Sequence, residues 1–352
     1  MSVRHRSAHG GRTRLRAAVP ILVAVFLASL SGAQIAHADP PPPAQIMTAA
    51  QAQRSGSAVG VIRHSEQGGQ VLELQLPPSR ASDRQLPAGE QGRRATARYL
   101  DSASTGTVAV ADGVGDPEAG LSITFPDGSQ AHTALAGVAG AAFGADGSWL
   151  AAIDGGGRLW RIEARTGTAS QVAPGPYTGS ISFTRAGELL LVEAASIEAP
   201  FSSVVVRFSP QTRRSVLVDH EEGFVFSVSE LTDGSVAVTA HVFGGGVEVR
   251  RVTEASSELL ASLDPRAIDT SLSDDGSRIA YSVEGTAFLR DVASGSTNRL
   301  GPGEMPRLAH DGGSLLVLRD GQTALLAADG SQLDQFGTAT VGWASCEGRC
   351  RP

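Results

Sequence analysis

The chain has 352 residues, with 41% hydrophobic and 18% charged positions, and 36 acidic against 29 basic side chains give a net charge of −7. That balance is globular, long enough for one large repeat domain or two ordinary domains, and its acidity argues against a nucleic-acid binder, which carries a basic face. All 29 basic residues are Arg, so the phosphate-cradling Gly-x-x-x-x-Gly-Lys loop is excluded.

Residues 1–38 read as a secretory signal peptide. Arg4, Arg6, Arg12, Arg14 and Arg16 make a basic start, Ala17 to Leu30 is apolar and uncharged, and Ala36-His37-Ala38 offers small residues before a cut at Asp39. An uncleaved membrane anchor is the alternative. Residues 39–55, opening on Asp39-Pro40-Pro-Pro-Pro43, are rich in Pro, Ala and Gln and read as a linker without a core. Nothing later is apolar enough to span a bilayer. The expectation is an exported protein, secreted or held at the cell envelope. Its 42 Gly, with abundant Ala and Val, suit a bacterial source.

Residues 56–352 are expected to form one domain built on a repeat. A tight turn returns at Gly106, Gly147, Gly187, Gly234, Gly276 and Gly312, a spacing of about 36 to 47 residues that matches a four-stranded propeller blade. Four of these turns are Asp-Gly: Asp146-Gly147, Asp233-Gly234, Asp275-Gly276 and Asp311-Gly312. Such pairs supply the positive φ angles of short β-turns. Leu150 to Ile153, Leu189 to Val192, Val236 to Val238, Ile279 to Tyr281 and Leu315 to Leu318 are apolar runs at one place in the unit, as in strands buried on both faces. The strand before each is rich in Ser, Gly and Ala, suiting sheets that converge on an axis.

The chain ends complete the expectation. Gly56 to Arg63 aligns with a second strand, Val71 to Leu76 with a third and Arg84 to Leu86 with a fourth, while Thr338 to Ser345 aligns with an isolated first strand. Pairing the two ends would close a ring and remove exposed sheet edges. The predicted fold is therefore an all-β, seven-bladed propeller of four-stranded antiparallel blades, closed by a composite N-/C-terminal blade.

Ser273-Asp-Asp275-Gly276-Ser-Arg-Ile-Ala-Tyr281, followed by Arg290-Asp291-Val-Ala-Ser294-Gly295, resembles the WD-like repeat of TolB-type propellers. Ala141 to Gly167 is a second match, and Val341-Gly-Trp343-Ala-Ser345 a truncated one. The resemblance covers most of residues 97–345. It implies a blade architecture and partners in the bacterial envelope, and specifies no reaction.

Chemistry-bearing motifs are scarce. There is no Gly-x-Ser-x-Gly elbow and no His-Glu-x-x-His. Gly155-Gly-Gly157 precedes a strand instead of a helix and reads as a hairpin turn. The recurrent Asp residues mark turn geometry, since a catalytic group does not recur in every repeat. Asp219-His220-Glu221-Glu222 is the densest ionisable cluster. It reads chiefly as a solvated loop, with Asp219, His220 and Glu222 as candidate ligands for a divalent cation. Arg98, Tyr177, Asp269 and Arg307 stand near first-strand entries and could line one channel mouth. Cys346 and Cys350 are expected to form a disulfide in an oxidising compartment.

The expected activity is that of a non-enzymatic, monomeric protein-binding or assembly module with no cofactor, an unidentified protein partner and no nucleic-acid ligand. The alternative is a propeller hydrolase or lactonase with a metal at the channel mouth, although the single Asn, Asn298, makes the Asn-rich metal site of such enzymes hard to build. A carbohydrate-binding surface protein is a third reading, poorly served by three Trp.

Overall fold

The computed structural model describes residues 57–64, 70–75 and 97–345, with breaks at 104–106, 113–119, 195–201, 210–212, 221–222, 338–339 and single positions 126, 128 and 145. The segments expected to be signal peptide and linker, and Cys346 and Cys350, lie outside the described residues. So does the expected strand at Arg84 to Leu86.

Strands β1 (Ser57–His64) and β2 (Gln70–Gln75) form a hairpin. Six four-stranded antiparallel meanders follow. Blade 1 holds β3 (Ala97–Ser102), β4 (Val108–Asp112), β5 (Leu121–Thr124) and β6 (Gln130–Thr133). Blade 2 holds β7 (Gly140–Phe143), β8 (Trp149–Ile153), β9 (Leu159–Glu163) and β10 (Ala169–Ala173). Blade 3 runs through β11 (Tyr177–Phe183), β12 (Leu189–Ala194), β13 (Ser203–Ser209) and β14 (Arg213–His220). Blade 4 is β15 (Gly223–Glu230), β16 (Val236–Val242), β17 (Gly246–Val252) and β18 (Ser257–Leu263). Blade 5 is β19 (Ile268–Leu272), β20 (Arg278–Val283), β21 (Thr286–Asp291) and β22 (Thr297–Pro302). Blade 6 is β23 (Glu304–Leu308), β24 (Ser314–Arg319), β25 (Gln322–Ala327) and β26 (Gln332–Gln335). The last strand, β27 (Thr340–Ser345), pairs antiparallel with β1, from Ser57 opposite Ser345 to Ile62 opposite Thr340.

The expectation of seven four-stranded blades is corrected. Among the described residues the structure has six, and the sheet made by the chain ends has three strands, ordered β2-β1-β27. Among the described residues no strand pairs with the outer edge of β2; Pro77 and Pro78, shortly after it, bring no N–H donor to a ladder.

The core lies between successive blades. Leu121 and Ile123 of blade 1 pack on Phe143 and Leu150 of blade 2. Ile153 and Leu159 of blade 2 meet Leu191 and Val206 of blade 3. Leu190 and Val205 then meet Val228 and Val238, Val249 meets Ile279 and Tyr281, and Leu289 meets Leu315 and Leu326. Each blade thus buries both faces, which is why its second strand is a continuous apolar run. β27 joins the same scheme: Val341 and Trp343 pack with Leu316 and Leu325, and the Trp343 indole donates to the Arg307 carbonyl at 2.7 Å.

Antiparallel meanders give the ring two unlike ends. The hairpins joining first to second and third to fourth strands fall at one end, the turn end. The opposite, loop end carries the second-to-third hairpins and the links between blades. At the turn end the recurrent Asp bonds the residue two further on: Ser148 N–H to Asp146 at 3.0 Å, Ser235 N–H to Asp233 at 3.0 Å and Ser277 N–H to Asp275 at 2.9 Å. Neighbouring turns also join. The Arg185 guanidinium donates to the Thr232 carbonyl at 2.7 Å, Thr232 N–H to the Asp274 carbonyl at 2.8 Å, and Asp274 N–H to the His310 carbonyl at 2.9 Å.

Candidate functional site at the loop end of the channel

In blades 3 to 6 the innermost strands pair regularly toward the turn end and slip toward the loop end, whereas β7 of blade 2 pairs without a slip. Register shifts fall between Tyr177 and Ile181, Val225 and Ser227, Ile268 and Ser271, and Glu304 and Arg307. Each slip leaves a bulge where the chain enters the channel wall. In β23 the cause is visible in the sequence, because Pro306 has no N–H to place in the ladder. The approach to this bulge is strapped by Arg319, whose guanidinium donates to the carbonyls of Pro302 at 2.6 Å and Leu300 at 3.1 Å.

Two of these bulges differ from the others. Asp269 in β19 and Met305 in β23 have φ of 52° and 49°, the left-handed region that costs an L-residue about 1 kcal/mol. Counted from the first hairpin, both stand at the same place in the repeat. Each exposes apolar surface: Ile268 is 53% and Met305 38% accessible.

The bulges meet across the blade boundary. Asp269 accepts from the Ser282 hydroxyl at 3.3 Å and from the backbone N–H of Met305, and feels the charge of Arg307. Solvent reaches Asp269, but the surrounding protein displaces part of its hydration. That loss pushes its carboxyl above the usual range, and the contacts with Ser282, Met305 and Arg307 do not fully offset it. A carboxyl held there keeps its proton to a higher pH than a free one, and in that form it donates as well as accepts.

Of the four residues expected near a channel mouth, the structure brings Asp269 and Arg307 together. Tyr177 instead packs in the core between blades 2 and 3, and the side chain of Arg98 is outside the described residues. Ile268, Ser282 and Met305 were not legible as site residues. The available signal was Gly301-Pro302-Gly303, two flexible positions around a proline just before a first strand.

Asp219 and His220 end β14, with their backbones opposite Val204 and Ser203. Their side chains and Glu222 lie outside the described residues. Among the described residues no three His, Cys, Asp or Glu side chains converge on a point, and no helix is long and apolar enough to cross a membrane.

Asp154, also at the loop end, is a purely structural carboxylate. It is 2% exposed and accepts from the N–H groups of Gly156 and Arg158, the Arg158 guanidinium at 2.7 Å and the Trp160 indole at 2.9 Å. Burial alone would raise its carboxyl. The bonds from Arg158 and Trp160 overcome it and leave the group below the usual range. This makes Asp154 to Gly157 the hairpin turn expected from the sequence.

No family model matches the chain, and no curated protein is similar in sequence. Solved structures do match in fold. TolB from Acinetobacter baumannii superposes with a TM-score of 0.50 at 17% identity, over 86% of this chain and 88% of that one. The Cps50 (Swd1) β-propeller domain of Myceliophteria thermophila gives 0.52 at 12% identity, over 77% and 96%. Hydrazine synthase of Kuenenia stuttgartiensis gives 0.51 at 12% identity, over 72% and 79%. At these identities the likeness is one of fold, a β-propeller with TolB-like and WD-like blades.

Proposed function

We propose that the protein is an exported β-propeller that acts without catalysis, as a protein-binding or assembly module in the bacterial cell envelope or outside the cell. The observation that carries this reading is the paired bulge of Asp269 and Met305. Strained backbone persists where the surrounding structure enforces it, and it concentrates at functional positions. Here it displays Ile268 and Met305 on a rigid ring beside a carboxyl and a guanidinium, the mixture of apolar anchor and polar rim that protein interfaces use.

The test is site-specific photocrosslinking in cells of the source bacterium, using the full chain. A crosslinkable residue at position 268 or 305 is expected to give one discrete adduct in the envelope fraction or medium. The same residue at 233 or 311, at the turn end, is expected to give none. Adducts from both ends alike, or from neither, would overturn the reading.

A further inference from the structure

A second feature of the loop end lies outward from the channel, where blades 4 and 5 meet. A cavity of about 290 Å³ opens there. Its floor is aromatic: Tyr281 and Phe288 stack with centroids 5.4 Å apart and planes 15° from parallel. Its rim is an ion triad. Arg266 is held by Asp264 through two bonds of 3.0 Å and reaches Glu284 at 2.7 Å. Two carboxylates around one guanidinium leave the rim with a net charge of about −1 at neutral pH.

Tyr281 is 6% exposed and lines this cavity. Its hydroxyl makes no hydrogen bond among the described residues and keeps contact with solvent in the cavity. Glu284 is 69% exposed on its side chain, and only one of its two carboxylate oxygens is engaged, by Arg266. The cavity therefore offers an aromatic floor, an unused phenol oxygen and an open carboxylate oxygen, under a negative rim. Each of these attracts a cation, and the ring faces do so most strongly when the cation is partly desolvated.

We propose that this cavity receives a basic side chain, an arginine or lysine, from the protein's polypeptide partner. The proposal rests on the protein-binding reading above and adds the chemistry of one contact. Arginine is favoured because a planar guanidinium can stack on Phe288 while donating to Glu284 and the Tyr281 oxygen.

The protein contains three tyrosines, so 3-fluorotyrosine labelling gives three ¹⁹F resonances, with Tyr281 assigned through Tyr281→Phe. Titration with acetyl-Gly-Arg-Gly-amide is expected to move the Tyr281 resonance saturably, and acetyl-Gly-Glu-Gly-amide is expected not to. Glu284→Gln should weaken the arginine peptide about fivefold, the scale of one charge contact. The unliganded ¹⁹F spectrum reports whether that variant is folded. No saturable shift, equal shifts from both peptides, or unchanged affinity in a folded Glu284→Gln protein would overturn the proposal. Such a failure would leave crosslinking at 268 and 305 untouched. Loss of that crosslinking with peptide binding intact would overturn the broader reading alone.

Discussion

The two ends of the ring use the same residue type to opposite effect. At the turn end Asp275 is held below the usual carboxylate range by the Ser273 hydroxyl and the Ser277 N–H, and Asp233 by the Ser235 hydroxyl and N–H. At the channel's loop end Asp269 is pushed above it by lost hydration. Backbone conformation divides in the same way. The left-handed positions of the first hairpins are glycines, Gly147, Gly187, Gly234, Gly276 and Gly312. Among the described residues, the four left-handed residues other than glycine, Asp269, Glu284, Met305 and Asp320, all lie at the loop end of blades 5 and 6. Glu284 and Asp320 sit beside Gly285 and Gly321 in two-residue hairpins, where both central positions take positive φ. Asp269 and Met305 have no such turn to satisfy. Regularity at one end builds the scaffold, and departure from it at the other coincides with the proposed interface.

Asp154 sets the boundary of that contrast, because it lies at the loop end but behaves as a scaffold carboxylate. Asp154→Ala should be the most damaging single change. It would strand the Trp160 indole, two backbone N–H groups and the Arg158 charge, at a cost of about 2 kcal/mol. A fall in melting temperature of about 5 °C is expected by calorimetry. A neutral outcome would mean that water satisfies these donors, and that Asp154 belongs with the exposed residues of its end.

The pH dependence sharpens the comparison further. Asp275 has a lowered folded pKa, so it adds stability above the unfolded carboxylate value of about 3.9. That stability disappears as pH falls through the folded value. Asp269 has a raised folded pKa. Between about 3.9 and that value the folded state binds the proton more tightly, so stability is lost as pH rises through this window. Asp275→Asn should therefore destabilise at pH 7, and Asp269→Asn should stabilise at pH 7. Both differences should vanish in acid below each group's folded and unfolded pKa values. Thermal unfolding from acid to neutral pH measures both, and a matching sign for the two variants would erase the distinction between the ends.

What the sequence makes legible follows the same division. The first hairpins could be placed because Asp-Gly carries its own geometry, and the second strands because Leu150 to Ile153 and its counterparts are apolar without interruption. The pairing of Thr340–Ser345 with Ser57–His64 was also readable, since each piece lacked its complement. The blade count was not, because it depended on Arg84 to Leu86, a short segment after two prolines. The site was only half legible. Asp269 and Arg307 could be named from their place in the repeat, but the link between them passes through the backbone N–H of Met305. A contact through the main chain across two blades leaves no pattern in side-chain spacing.

The smallest expected effect tests the strain directly. Gly276 has φ of 71°, and a Cβ there would stand 3.1 Å from a Leu231 methyl carbon. Gly276→Ala should therefore destabilise by about 1 kcal/mol or more, from conformation and crowding together. Met305→Gly removes a left-handed cost of about 1 kcal/mol. It also frees the unfolded chain, which returns roughly 0.5–1 kcal/mol of that gain. The net change should lie within about 0.5 kcal/mol of zero, provided that the Met305 side chain contributes little packing at 38% exposure. Chemical denaturation of the two variants compares these costs. If Met305→Gly costs as much as Gly276→Ala, the methionine is packed into the scaffold. If it is neutral while crosslinking at 305 remains efficient, the side chain is held out for a partner at the expense of backbone strain, and the irregular end is the working end.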